Sequence, residues 1–370
     1  SIGRFGAIDD TEGGNTSRSN FLINHKKLIN EHTNITSKAY ISKYDFELFS
    51  NFTFFLEDPI NGDQIHQKEN RTIIGAETKY EHSVHVGDHD SQLKYETGIG
   101  FRYDDVNGVQ LSRTKNRQEV LERLAYGNID ELNGYSFFNL TYKKNKWTIN
   151  PGLRLDYFKF DYEDLLSETY DNKSENKLFL GPKLNIIYAA SQGLQLFAKT
   201  GIGFHSNDTR VVTANNGKEI LPAAYSADLG AIIKPMDKFM LNAALWTLFL
   251  EQEFVYVGDA GIVEPSGKTK RYGVDFGLRY QLTDWLYLNG DVNYTYAMST
   301  EEPKGEDYIP LSPDLTSSGG ISFRDLNNFS GGINYRLIKN RPANEDNSIV
   351  AKGYTVTDMN INYNFKNWTL

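Results

Sequence analysis

Residues 270–297 alternate between apolar and polar side chains in two runs, which are separated by Thr283 and Asp284. Successive side chains of a β-strand point to opposite sides, so a period of two predicts two strands joined by a tight turn. Each run exceeds the roughly 9–11 residues that a tilted strand needs to cross a bilayer. Aromatic residues stand at the ends of the apolar faces, where outer-membrane barrels carry aromatic girdles. The pattern therefore predicts one hairpin of a large transmembrane β-barrel.

The two faces of this hairpin should meet different surroundings. A charged side chain in hydrocarbon is costly, by roughly 2–4 kcal/mol for Arg or Lys at the bilayer midplane. We therefore expect the apolar face to contact lipid and the polar face to line a hydrated lumen. The lipid-facing set is Tyr272, Phe276, Leu278, Leu288 and Tyr294, and the lumen-facing set is Asp275, Arg279, Asn289 and Asp291.

Composition is compatible with a barrel and excludes several other classes. The mean hydropathy of the 370 residues is -0.52, and no stretch approaches the roughly 18 apolar residues of a membrane helix. The chain has no cysteine, which excludes disulfides and thiolate metal sites. Its formal net charge of -9 argues against nucleic acid as a partner.

About 15–16 alternating runs can be counted along the chain, and the connectors between them are alternately short and long, as in up-and-down barrels. Soluble sandwiches and propellers alternate as well, but the long strands and the two classes of connector favour the barrel. Within the connector at 104–131, RQEVLERLAYG at 117–127 predicts a short helix, and residues 161–176 predict an acidic loop. The long connectors at 104–131, 206–222, 254–269 and 339–352 should share one rim, opposite the short turns at 87–90, 191–193, 235–237 and 283–284.

Several segments, in this order and spacing, resemble TonB-dependent outer-membrane receptors. They are residues 201–208, 245–246, 255–261, 271–274, 310–313 and 341–346. The resemblance runs from about residue 135 to the end of the chain and is weaker before it. It implies a bacterial outer-membrane protein that imports a scarce ligand, such as a ferric siderophore, cobalamin or a glycan, with energy from the TonB complex. It also implies contacts with membrane lipid and lipopolysaccharide, and a small-molecule ligand at the extracellular loops.

Receptors of this kind have a barrel of 22 strands around an N-terminal plug, and the chain departs from that pattern. We expect residues 1–370 to be a single barrel domain truncated at both ends, without a plug or the segment that contacts TonB. The strand at 355–365 should then lack a complete partner, and so should the first strand, near 3–9 or 18–29. A ladder joining the two would instead indicate a smaller, closed barrel.

Few residues predict chemistry at a site. His82, His85 and His89 are close in sequence but cannot converge on one ion from a strand and a turn, so no metal site is predicted. His205 and Ser206 are adjacent at a strand end and cannot act together, so no catalytic residue is predicted. No cofactor is predicted either, because Gly98-x-Gly100 and Gly201-x-Gly203 are not followed by the helix that a phosphate loop needs.

The best candidates for ligand contact are aromatic and Arg residues of the loops, since binding sites favour both. They are Arg210, Tyr256, Tyr308 and Arg341. The acidic clusters of the loops are more consistent with a solvated surface. The leading hypothesis is a TonB-dependent nutrient transporter, and the alternative is a passive porin or structural barrel. An outer-membrane hydrolase and a soluble β-rich binding module are weaker possibilities.

Overall fold

The computed structural model describes residues 6, 9–87, 91–167, 172–206, 209, 220–257, 262–265, 267–365 and 368–369. Its regular elements are β-strands. They are β1 (Gly13–Asn30), β2 (Thr33–Ser50), β3 (Ile65–His85), β4 (Ser91–Lys115), β5 (Glu119–Lys144), β6 (Trp147–Asp164), β7 (Asn172–Ser191), β8 (Leu194–Phe204), β9 (Ala223–Met236), β10 (Phe239–Leu250), β11 (Phe254–Val257), β12 (Ile262–Pro265), β13 (Thr269–Gln281), β14 (Leu286–Ser299), β15 (Leu315–Leu326), β16 (Phe329–Ile338), β17 (Arg341–Pro342), β18 (Val350–Ala351), β19 (Tyr354–Phe365) and β20 (Trp368–Thr369). Among the residues described, no helix is long and apolar enough to span a membrane.

Sixteen of these strands form one sheet in which every strand pairs antiparallel with the next one along the chain. Two small hairpins, β11–β12 and β17–β18, are not part of this sheet. Each forms a separate two-stranded sheet inside a long connector. The up-and-down order places the predicted long connectors at one rim, opposite the short turns at 87–90, 191–193, 235–237 and 283–284, as predicted. At 104–131, however, most residues belong to β4 and β5, and only a short turn remains at that rim. The fold class is therefore confirmed, with a strand number that agrees with the count from sequence.

The register of β13 and β14 confirms the predicted division of faces. Phe276 lies opposite Val292, and Asp275 lies opposite Asn293, so each face keeps one character across both strands. The apolar side chains are exposed rather than packed into a core, with Phe276 at 43%. On the other face, the indole nitrogen of Trp246 donates a hydrogen bond of 3.0 Å to Asp275. A barrel wall between lipid and a hydrated lumen needs apolar side chains on its outer face and polar side chains on its inner face. The two faces of β13 and β14 have this character.

This division predicts a large asymmetry between two Arg substitutions. Val292 lies near the middle of β14 on the lipid face, and Val292→Arg should destabilise the folded barrel by roughly 2–4 kcal/mol. Asn242 is an exposed lumen-face residue of β10 opposite Gly277, where there is room for a longer side chain. Asn242→Arg should therefore cost little. Urea titration of the folded fraction in lipid vesicles, followed by heat-modifiable gel mobility, measures both. Equal losses would contradict the assignment of faces.

The prediction of a short helix at 117–127 is wrong. These residues form the apex of the β4–β5 hairpin and the start of β5, with Gln110 paired to Tyr126. Asn116 and Arg117 at the apex have φ of 54° and 60°, the left-handed values of a tight hairpin turn. Val106, Val109 and Ile129 bury one another beside Tyr162 on the neighbouring strand. Cross-strand pairing and this small core outweigh the local helical preference of the sequence.

The walls of the barrel are unequal in height. Strands β3 to β7 contain 18 to 26 residues, whereas the strands of the main sheet from β8 to β19 contain 10 to 14. The predicted acidic loop at 161–176 is accordingly shorter than expected, because β6 continues to Asp164 and β7 begins at Asn172. Continuous pairing with tall neighbours extends both strands into acidic sequence.

The sheet is open between its first and last strands in the part of the chain described. The pairing of β19 with β20 involves only Asn364 and Phe365 on the β19 side, and no described pairing joins either strand to β1. Residues 3–9, a candidate for the first strand, lie largely outside the described residues. A hydrogen-bond ladder between the last strands and β1 would have indicated a small closed barrel, and no such ladder is found among the described residues. Completion of the barrel by further strands stays a prediction.

Candidate functional site in the lumen and at the long-loop rim

The lumen face of β2 to β6 carries a chain of charged side chains. Near the short turns, the amine of Lys94 lies 2.8 Å from Glu81 and 3.1 Å from Glu96. Lys79 adds longer ion pairs of 3.5 Å and 3.7 Å to the same two carboxylates. Because two amines neutralise two carboxylates here, this level of the wall is hydrophilic without a strong local charge.

The next level is organised around Tyr135. Its hydroxyl donates a hydrogen bond of 2.7 Å to Glu77, which also pairs with Lys38 at 3.1 Å. The guanidinium of Arg154 lies 3.9 Å from the centre of the Tyr135 ring, a cation–π contact. The ring rests against Gly100, where a Cβ atom would come within 2.6 Å of it. Gly100 therefore relieves crowding beneath an aromatic ring.

Two Arg–Asp pairs hold the upper part of this wall. Arg154 donates two hydrogen bonds to Asp156, at 2.7 Å and 2.8 Å, and the side chain of Asp156 is 1% exposed. Arg102 makes the same two-bond contact with Asp104, at 2.6 Å for each bond. Such paired bonds fix the guanidinium plane as well as its position. The side chains of both Arg residues keep exposed surface, 42% and 49%, so positive charge remains accessible from the lumen.

An aromatic cluster lies above these pairs, at the end of the lumen nearest the long connectors. Phe158 and Phe160 of β6 are buried together with Ile220 and Leu221, which precede β9. Phe179 and Phe204 pack against them. Sequence reasoning missed this cluster, although a signal exists. The lumen face of β6 carries Arg154 and Asp156 and then becomes apolar at Phe158 and Phe160, toward the rim with the long connectors. Ile220 and Leu221, the described end of the connector between β8 and β9, are thereby anchored over the lumen face.

Two of the four predicted ligand-contact residues are brought together by the fold. Tyr308 and Arg341 line one cavity of about 420 Å³ between the connectors at 300–314 and 339–353. Arg210 lies outside the described residues. Tyr256 belongs to β11, and its side chain also lies outside the described part of the structure. Ligand contact by any of the four stays a prediction.

The polar side chains of this cavity are only partly paired. The amine of Lys339 lies 2.7 Å from one carboxylate oxygen of Asp314, and this hydrogen bond and the negative charge of Asp314 raise the pKa of Lys339. The other oxygen of Asp314 is buried and has no hydrogen-bond partner among the described residues. The same holds for one terminal nitrogen of Arg341, its Nη1. Asp314 and Arg341 therefore each keep one buried polar atom unpaired, and neither of these atoms is open to the space of the cavity.

The histidines do not assemble into a metal site in the described part of the chain. His82 shares a 2.8 Å hydrogen bond with Thr33, and His85 makes an edge contact with His32. His89 lies outside the described residues. No group of three His, Asp or Glu side chains suited to hold a metal ion occurs among the residues that are described.

Comparison with known proteins gives consistent results at low identity. The ferric citrate transporter FecA, in its unliganded form, superposes with a TM-score of 0.79 at 15% identity, over 95% of this chain and 54% of that one. The ferric-catecholate import receptor Fiu from E. coli, in its closed form, gives 0.75 at 14% identity, over 98% and 61%. The copper transporter OprC gives 0.72 at 14% identity, over 96% and 60%. The chain thus spans between about half and three fifths of the length of these proteins.

The sequence itself matches the family described as TonB dependent receptor-like, beta-barrel, over residues 2–370. This match covers nearly the whole chain, and the strand order, the polar lumen and the long connectors at one rim agree with it. The chain therefore belongs to the TonB-dependent receptor family, as part of its β-barrel.

Proposed function

We propose that the protein imports a scarce nutrient across the bacterial outer membrane, such as a ferric siderophore or another metal chelate, and that TonB supplies the energy. Members of its family are transporters rather than enzymes. The names of the structural neighbours include ferric citrate, ferric-catecholate and copper transport. The substrate class proposed for this chain rests on those names and on the lumen described above.

The observation that carries the proposal is the polar wall of β2 to β6. A lumen lined by Arg154, Arg102 and paired carboxylates suits a solute that is charged and hydrated. Ferric chelates with carboxylate or catecholate groups are commonly anionic, and guanidinium groups with exposed surface bind such oxygens well.

Growth of a deletion strain tests this function. The strain should fail on a defined ferric chelate or copper source as the sole supply, and the complete gene should restore growth only when TonB is present. Cobalamin and glycan sources, tested in parallel, identify the substrate class. Restoration without TonB, together with steady ion conductance of the protein in planar bilayers, would favour the passive porin instead.

A further inference from the structure

The strands β7 and β8 separate toward the rim with the long connectors. Register pairing between them ends at Lys183 and Gly201, although β7 extends to Asn172 and β8 to Phe204. Pro182 stands where the pairing ends, and a proline has no N–H to offer to a neighbouring strand. On its other side, β7 stays paired with β6 as far as Asn172. The upper part of β7 is therefore an edge of the sheet on the side of β8.

This edge continues beyond the end of β8. If the register of Lys183 and Gly201 is extended, the last residue of β8, Phe204, is level with Leu180 of β7. In the described part of the chain, residues 174–179 of β7 thus have no strand on that side. Every second residue of a strand points its N–H and C=O groups to the same side, so this stretch offers unpaired donors and acceptors from about three residues.

The outer face of β6 shows where this edge stands relative to lipid. Tyr157 faces outward and is exposed, but the next outward residue is Lys159, whose amine lies 2.8 Å from Asp161. Charged side chains on this face are costly in hydrocarbon, so the lipid boundary lies close to Tyr157. On β7, Leu178 lies opposite Tyr157, and Asn176 lies opposite Lys159. Most of the free edge is therefore outside the lipid, where another polypeptide can reach it.

A cavity of about 510 Å³ lies at the lower end of the edge, on the lumen side of β5 to β8. Gly152, Gly181 and Gly203 are in its lining, and they leave space because they carry no side chain. Phe179 lines it toward the rim. Its volume is within the usual range for small-ligand pockets, roughly 300–1,000 Å³. The cavity can therefore hold the last residue or two of a chain that follows the edge downward.

Two accessible cationic groups line this cavity. The side chain of Lys183 is exposed, and no ion pair or hydrogen bond engages its amine among the described residues. Arg154 donates two hydrogen bonds to Asp156, but 42% of its side chain is exposed. The side chain of Asp156 is 1% exposed. An anionic group that enters the cavity thus meets two cations and only one carboxylate, which is shielded and already paired.

We propose that the free edge of β7 and the cavity below it bind the C-terminal end of an extended peptide. The peptide backbone pairs with residues 174–179 as an added strand, and its terminal carboxylate lies in the cavity beside Lys183. A row of backbone donors and acceptors at strand spacing is matched by another backbone in extended conformation, and a cationic end pocket is matched by a carboxylate. Because the carboxylate lies at the lower end, the peptide runs parallel to β7.

The side chains of β7 define the sequence that fits. Leu178 faces outward and is 61% exposed, so the outward side chains of the peptide should be apolar. Lys177 lies opposite Phe158 and shares its lumen face, so the peptide side chains on that face should be acidic. This site goes beyond the proposed import of a metal chelate, since no transport step enters it.

The test measures binding of a synthetic peptide to the complete protein in nanodiscs by fluorescence anisotropy. The probe is a short peptide in which valine alternates with glutamate, with a fluorophore at its N-terminus and a free carboxylate at its C-terminus. It should bind saturably. The same peptide with a C-terminal amide should bind about tenfold more weakly, because it lacks the charge that Lys183 attracts.

Methylation of peptide nitrogens tests the added strand directly. Two versions of the probe carry N-methyl groups on alternate residues, one version for each of the two phases. Only one set of N–H groups points toward β7, so one version should lose binding and the other should bind like the unmodified probe.

Substitutions in the protein locate the site. Lys183→Gln should weaken binding of the free-acid probe about tenfold and leave binding of the amide unchanged. Lys144 is an exposed lysine at the lower end of β5, so Lys144→Gln is the matched control and should change neither. The chain has no cysteine, so a thiol introduced as Asn176→Cys should form a disulfide with a cysteine in the probe, and Lys144→Cys should not. Heat-modifiable gel mobility confirms that each variant is folded.

Absence of saturable binding would overturn the proposal. Equal binding of the two N-methylated versions would overturn it as well, because an added strand uses only one set of N–H groups. An equal effect of Lys183→Gln on the acid and the amide would show that the carboxylate does not lie in the cavity. Failure of transport in the growth assay would leave these results untouched, and failure of peptide binding would leave the proposed import untouched.

Discussion

Phe160→Ala should release the connector between β8 and β9 and destabilise the barrel by roughly 3–5 kcal/mol. Phe160 is 0% exposed and lies in the cluster with Ile220 and Leu221, so truncation leaves a cavity at the point where the connector is anchored. Limited proteolysis should then cut within residues 205–222 much faster than in the wild type. Urea unfolding of the same sample gives the change in the free energy of unfolding.

Phe138→Ala is the matched control for this substitution. Phe138 is a residue of the same type in β5, but it is 47% exposed on the lipid face and lies outside the cluster. Its truncation should leave the cleavage rate at 205–222 unchanged. If both variants were cut at the wild-type rate, the aromatic cluster would not be the anchor of the connector.

Asp156→Ala should destabilise the barrel by about 2–3 kcal/mol. The carboxylate is 1% exposed and accepts two hydrogen bonds from Arg154 and one of 3.1 Å from Asn133. Its removal leaves the guanidinium of Arg154 without a counter-charge, and a fully buried lone charge of this kind commonly costs about 3–5 kcal/mol. Water in the lumen reaches the exposed part of Arg154 and lowers that cost. Urea unfolding in vesicles measures the difference.

The double variant Arg154→Leu with Asp156→Leu distinguishes two contributions to the lost stability. One is the cost of leaving a single charge without its partner, and the other is the loss of the attraction between Arg154 and Asp156. When both charges are replaced by apolar groups, the desolvation cost disappears together with the attraction. The double variant should therefore be closer to the wild type in stability than Asp156→Ala. A double variant that is less stable than Asp156→Ala would mean that the pair itself contributes net stability.

The membrane-crossing parts of the strands were predictable because they obey one local rule. In β13 and β14, lipid on one side and water on the other impose a period of two on the sequence itself. The short turns follow from the same constraint, since each must reverse the chain at the membrane surface. Local sequence therefore predicted the strand number, the faces and the rim that carries each connector.

Toward the rim with the long connectors that rule no longer applies, and prediction failed there for physical reasons. Residues 117–127 are surrounded by water and by protein, so their conformation depends on pairing with β4, a long-range contact that local propensity does not contain. The burial of Phe158 and Phe160 depends likewise on Ile220 and Leu221, about 60 residues away. Tyr308 and Arg341 were selected for residue type, and only the fold shows that they line one cavity.

The unequal height of the walls makes access to the lumen directional. A strand rises by about 3.3 Å per residue and is tilted by about 45° in such barrels, so β5, with 26 residues, stands roughly 30–40 Å higher than β16, with 10. The tall strands β3 to β7 block a solute that diffuses toward the lumen from their side. A solute that arrives over the shorter strands β8 to β19 is not blocked in this way. A solute that enters over β8 to β19 therefore meets the connectors above these shorter strands first.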